Sequence, residues 1–235
     1  MTRRVAAAMP AFQVEAFVAD VVRRTLAVLP DLLVIDDGSS DRTGDVARSA
    51  GAEVITVPHN LGKGAALRVA FREIFRRGCE AVVTLDADGQ HLPEEIPKLL
   101  RGWEEGGDLV LGTRDHLYSQ MGRLRRTSNR LSSRAISIVA GTRLNDVQTG
   151  FRLYTEALIA ATGFPEPRFE AETAVVVRAV RRGFPIITVP VDLGYADGIK
   201  TSHYRPILDS LRIAGAVARA RLERISPSRE PWWLS

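Results

Sequence analysis

Apolar and polar positions along this chain follow two alternating periods. The short continuous apolar runs Val5 to Met9, Leu32 to Ile35, Val54 to Val57, Ala81 to Leu85, Leu109 to Gly112 and Ile186 to Val189 are mostly rich in β-branched residues. Runs of that length and composition predict strands covered on both faces. Between them, apolar residues fall at helical spacing. Val14, Phe17, Val18, Val21, Val22 and Leu29 form one stripe, and Leu67, Ala70, Phe71, Ile74 and Phe75 form another that Gly78 ends. Ser39 to Asp41 offer caps for a further helix ended by Gly51, and Pro93 opens one ahead of Ile96, Leu99 and Leu100. Such a β-α-β-α march predicts an α/β fold with a doubly wound, mostly parallel sheet flanked by helices, in a single domain. The later half is less regular. It holds a helix from Arg123 to Ala140 and a basic amphipathic helix over about 205–225, which closes a domain of 1–226 ahead of a tail, 227–235.

The ends of two strands carry acids. The run at Ala81 leads into Asp86-Ala87-Asp88-Gly89-Gln90-His91, and the run at Leu32 leads into Asp36-Asp37-Gly38-Ser39-Ser40-Asp41. Carboxyl ends of strands in open α/β sheets are where ligands bind. Asp86 and Asp88, one residue apart, can turn toward one hard cation, whose remaining shell is normally water and substrate phosphate. The pattern therefore points to a nucleotide-diphosphate site. Asp31 and Asp41 read instead as turn formers or caps.

Composition narrows this reading without changing it. An apolar fraction of 45% suits a chain with a real core, and 32 basic against 28 acidic residues leave a net charge of +4. That balance suits acidic ligands or an anionic lipid surface, and no aromatic-studded basic motif argues for nucleic acid. Cys79 is the only cysteine, which excludes an intramolecular disulfide and a cysteine zinc site and fits a reducing cytoplasm. No run approaches the ~18 apolar residues of a membrane span. A membrane, where one is engaged, is met by lying on its inner face. The helix after Arg205 could do this with Trp232 and Trp233 as interfacial anchors, although its apolar face reads first as a cover for the sheet.

The ordered motifs Pro10-Ala11-Phe12, Asp36-Asp37-Gly38-Ser39, Asn60-Leu61-Gly62-Lys63-Gly64, Asp86 to His91, Gly112-Thr113-Arg114, Asp146 to Arg152 and Ser202 to Pro206 resemble those of family 2 GT-A glycosyltransferases of the dolichyl-phosphate mannose synthase type. The resemblance implies an inverting enzyme that moves a hexose, mannose before glucose, from a nucleotide diphosphate sugar (GDP-mannose before UDP-glucose) to a polyprenyl phosphate. It implies that Asp86, Asp88 and Gln90 hold Mg²⁺ or Mn²⁺ on the donor diphosphate. Pro10, Phe12, Asp37, Ala87 and Asp88 then line the donor pocket, with Arg114 at its phosphates. Asp146 and Arg152 border the sugar and acceptor, with Glu172 pointed at the same place. Arg130, Lys200 and Arg205 stand near the acceptor phosphate. Asn60 to Gly64 lacks the P-loop pattern and reads as a turn near the nucleotide.

One departure is plain. In the family an Asn and a Glu usually follow the aromatic of the first strand, whereas Gln13 and Val14 stand here and the nearest acid is Glu15. Two other readings stay open at this point: a non-catalytic nucleotide-sugar binder or scaffold, and a transferase with a soluble hydroxyl acceptor that would need Asp146 or Glu172 as base.

Overall fold

The computed structural model describes residues 4–114, 147, 149–194, 206–223 and 232–233, with backbone alone at 206–210. In chain order its elements are β1 (Val5–Ala11), α1 (Glu15–Val28), β2 (Leu32–Asp36), α2 (Thr43–Ser49), β3 (Glu53–Thr56), α3 (Lys63–Arg76), β4 (Ala81–Thr84), a 3₁₀ turn (Pro93–Glu95), α4 (Ile96–Glu104) and β5 (Leu109–Thr113). Then follow β6 (Arg152–Thr155), α5 (Glu156–Thr162), α6 (Glu170–Arg181), β7 (Ile186–Pro190) and α7 (Pro206–Leu222).

The strands form one seven-stranded sheet in the order β3-β2-β1-β4-β6-β5-β7. All pairings are parallel except those of β6, which runs antiparallel between β4 and β5. Successive strand residues feed opposite apolar layers, as a period of two requires. Ala6, Ala8, Leu33, Ile35 and Val82 pack under α3, α5, α6 and α7, while Ala7, Met9, Val34, Ala81 and Val83 pack under α1, α2 and α4. That double coverage is why these strands read as unbroken apolar runs.

The six expected strands are present with small changes at their ends. The seventh, β6, departs from the expectation, because its Arg-Leu-Tyr-Thr sequence carries no apolar run. Arg152 is fully buried there, and its guanidinium donates to the carbonyls of Thr149, Glu172 and Val147. Two backbone oxygens just upstream and one from α6 satisfy a charge that sequence pattern assigns to the surface. The expected helix over 123–140 lies outside the described residues.

Trp232 and Trp233 are not interfacial anchors. Trp233 is 1% exposed, its ring 4.9 Å from that of Phe75 and 5.3 Å from that of Trp232. Arg76 Nε donates to its carbonyl, so the pair seals the α3 side of the core. Among the described residues no helix is long and apolar enough to cross a membrane.

Candidate functional site

The sheet reverses direction at β1: β2 lies on one side and β4 on the other. Such a switch point leaves a crevice at the carboxyl ends of the strands. Pro10, Phe12, Asp36, Asp37, Asp86 and Asp88 all reach it, because each stands at or just past the end of β1, β2 or β4.

On the β2 side the acids organise backbone. Asp37 is buried; its Oδ1 accepts from Leu61 N at 2.8 Å and its Oδ2 from Gly62 N at 2.9 Å. Burial pushes its carboxyl up, against these two N–H groups and the charge of Arg168. Asp37 thus ties the end of β2 to the entry of α3. Asp41 is the turn former expected, since Oδ1 accepts from the N–H and hydroxyl of Thr43. Gln13 has φ +53°, a left-handed backbone rare for a side chain of its size, held by bonds from its N–H to Ser39 Oγ and from Nε2 to Ser40 Oγ. Val14 is 8% exposed and belongs to the core, while Glu15 Oε2 accepts from Arg42 N. The position where the family usually has an acid therefore serves packing here.

The β4 side holds a buried charge cluster. Lys63 Nζ lies 2.6 Å from Asp86 Oδ1 and 3.2 Å from Glu172 Oε2, and its side chain is only 13% exposed. Gly150 closes the cradle: a Cβ there would stand 2.5 Å from Lys63 Nζ and 2.8 Å from Asp86 Oδ2. A side chain there would push the ammonium and the carboxylate from these positions. Burial pushes the Asp86 carboxyl up, but Lys63, His91 and Arg114 outweigh it and bring the group down to about 2. His91 is buried and stacks on Phe151 at 5.3 Å, and its Nδ1 accepts from Asp86 N at 3.0 Å. An accepting Nδ1 carries no proton, which agrees with burial lowering the imidazole to about 4. Asp88 accepts from both the N–H and the side-chain amide of Gln90 at 3.0 Å. From the far edge of the sheet, the segment after β7 lies over this loop, with Gly194 N donating to Gln90 O and a bridge between His91 and Leu193.

The structure thus brings Pro10, Phe12, Asp37, Asp86, Ala87, Asp88, Gln90, Arg114 and Glu172 to one end of the sheet. Arg152 is the correction, since its buried guanidinium holds Val147 and Thr149 against α6 and is not open to a sugar. Asp146, Arg130, Lys200 and Arg205 lie outside the described residues. Lys63 is the residue that sequence reasoning missed. The available signal was a lysine between two glycines opening an apolar helix. Gly64 lets that first turn press on the 166–168 backbone, where a Cβ would meet Glu166 O at 2.3 Å, and so tucks the ammonium inside.

Asp86, Asp88 and Gln90 supply hard oxygen donors from one loop, the set that Mg²⁺ or Mn²⁺ prefers. Among the described residues no three acids, imidazoles or thiols converge as a closed cage. A cation completed by water and diphosphate needs none, so the donors fit such an ion, with Lys63 serving as the counter-charge of Asp86.

A family model described as glycosyl transferase family 2 matches residues 7–163. Glycosyltransferase AglJ of Haloferax volcanii is 33% identical over 190 residues, covering 80% of this chain and 60% of AglJ, so the chain spans less than two thirds of that relative. The polyprenol monophosphomannose synthase of Mycolicibacterium smegmatis is 29% identical over 81% of this chain and 77% of its own. The undecaprenyl-phosphate mannosyltransferase of Micrococcus luteus is 34% identical over 68% and 70% respectively. Among solved structures, glucosyl-3-phosphoglycerate synthase from Mycobacterium tuberculosis with UDP superposes with a TM-score of 0.73 at 21% identity, covering 94% of this chain and 80% of that one. At that identity the likeness is one of fold.

Proposed function

The chain belongs to glycosyl transferase family 2, and from that premise we propose that it moves a hexose from a nucleotide diphosphate sugar to a polyprenyl phosphate. One observation carries the reading: the acid-tipped ends of β2 and β4 meet at the switch point of the sheet, with a buried lysine beside the Asp-Ala-Asp loop. Relatives named for polyprenyl- and undecaprenyl-phosphate sugar transfer support the acceptor class. Mannose from GDP-mannose is the favoured donor pair, with glucose from UDP-glucose second.

In this reading Asp88, Gln90 and Asp86 hold Mg²⁺ or Mn²⁺, which when bound supplies positive charge to the departing diphosphate. Lys63 keeps Asp86 ionised and oriented, and Arg114 adds positive charge on the same side. Asp37 and the Gln13 turn shape the nucleoside end. His91, neutral through its bond from Asp86 N, fixes the loop and moves no proton at pH 7. A phosphate monoester has its second pKa near ~6, so the acceptor arrives ionised and attacks the anomeric carbon with little help from a base. Displacement then inverts that carbon, and a lipid acceptor puts the reaction at a membrane surface.

The test mixes protein, Mn²⁺ and either GDP-mannose or UDP-glucose with a short-chain polyprenyl phosphate, and follows sugar-lipid formation by mass spectrometry. Donor-dependent product with inverted configuration is expected. Donor binding in thermal shift without product on any polyprenyl phosphate, but with product on a soluble alcohol, refutes the acceptor.

A further inference from the structure

The loop that carries Asp86, Asp88 and Gln90 is braced by a stretch of chain from the other end of the sheet. β7 stands at the far edge, with β6 and β5 between it and β4. The four residues after it, Val191 to Gly194, nonetheless run back over the loop, and each is fixed by its own contact. Val191 is buried in the same apolar layer as Phe151, and its N–H donates to Thr113 O at 3.0 Å. Asp192 N donates at 3.2 Å to Oε2 of Glu95, in the turn that opens α4. Leu193 forms an antiparallel bridge with His91, and Gly194 N donates to Gln90 O at 3.0 Å.

The contact at Gly194 is the closest. A Cβ there would stand 2.3 Å from Gly89 O and 3.1 Å from Leu92 Cδ2. Gly194 is not among the glycines with positive φ, so room, and not backbone conformation, calls for a glycine. The peptide it presses on is the one from which Asp88 is oriented, because Gln90 donates to both Asp88 oxygens through its N–H and its side-chain amide. Contacts thus run from the edge strand, through Glu95 and Gly194, to the two oxygens expected to meet a cation.

We propose that Gly194 and Glu95 are positioning residues for the cation site, Gly194 setting the place of the Gly89–Gln90 peptide and Glu95 hooking the strap that carries Gly194. The inference rests on the metal reading above. Metal donors must be held within ~0.5 Å of their productive places, and groups that only orient them commonly account for roughly 10–100-fold in affinity. A methyl group at position 194 would force strap or loop to give by about 1 Å before its contact with Gly89 O became ordinary.

Two readouts on the whole chain test this, neither of them activity. The first is hydrogen exchange of the 86–91 amides without metal. The second is Mn²⁺ affinity in the presence of GDP, and separately of UDP, followed by electron paramagnetic resonance of the free ion. Gly194→Ala should speed loop exchange about tenfold, leave β1 and β2 as protected as in wild type, and weaken Mn²⁺ at least tenfold. Glu95→Ala should act in the same direction. Glu95→Gln keeps an acceptor for Asp192 N and gives up only the charge toward Lys98 and the start of α4, so it should restore both readouts. Wild-type exchange and affinity in Gly194→Ala would overturn the inference. So would a Glu95→Gln variant as weak as Glu95→Ala, which would assign the effect to the charge on α4. No Mn²⁺ binding by the wild type would overturn the metal reading and this inference together. Failure of sugar transfer with the Mn²⁺ pattern as expected would count against the acceptor reading alone.

Discussion

Replacing Lys63 by Met removes the ammonium and keeps the chain that fills the space beneath Gly150. Asp86 and Glu172, which share that ammonium at 2.6 and 3.2 Å, are left without it. Breaking a buried ion pair from one side costs about 3–5 kcal/mol. With a urea slope of ~2–3 kcal/mol per molar, the unfolding midpoint should fall by about 1–2 M at pH 7. The pH response should also change sign. In the native protein Asp86 sits near 2, below its ordinary 3.8, so it contributes about 2 kcal/mol that is present above pH 3.8 and lost as pH falls toward 2. Without Lys63 the burial that pushes this carboxyl up loses its chief opponent. Its folded value then rises above the unfolded one, and the variant gains stability relative to wild type as pH drops from 7 to 5. Urea unfolding followed by circular dichroism at pH 7 and pH 5 measures both effects. A wild-type midpoint at pH 7, or parallel curves at the two pH values, would refute the account of Lys63 as a buried counter-charge.

Asp88→Ala should abolish Mn²⁺-dependent donor binding in calorimetry while leaving the fold intact, and wild-type affinity would remove Asp88 from the metal set. His91 has a folded value near 4 against 6.5 unfolded, so stability should fall by about 3 kcal/mol as pH drops from 6.5 to 4. His91→Asn, which can still accept from Asp86 N, should flatten that part of the pH–stability curve; an unchanged slope would place the titration elsewhere. Trp233→Ala should cost about 3–5 kcal/mol in urea unfolding, because it empties the site against Phe75. It should leave vesicle sedimentation unaltered, and the opposite pattern would restore the tail as a membrane anchor.

The sheet was legible where burial on both faces made strands into apolar runs, and the acid tips at Asp36 and Asp86 were legible because they follow such runs directly. What escaped was decided by contacts that no periodicity encodes. β6 was hidden by Arg152, whose charge the chain accepts only because the carbonyls of Val147, Thr149 and Glu172 converge on it. Lys63 looked like part of a turn because its partners, Asp86 and Glu172, come from β4 and α6. The tryptophan pair has a composition that serves a lipid interface and a protein core equally well, and Phe75 decided between them. The likeness to a family carried the site further than spacing alone, yet it misplaced Arg152 because a motif names residues without saying which of them face inward.

The antiparallel insertion of β6 has a consequence for how specificity can diversify. Leu111 pairs with Arg152, so the chain leaves β5 and returns to β6 at the same rim of the sheet, the rim where β4 delivers its aspartates. Arg114 and Gly150 therefore stand side by side at that rim. A change of length or composition beyond those two anchors leaves the pairing of β4, β6 and β5 in register.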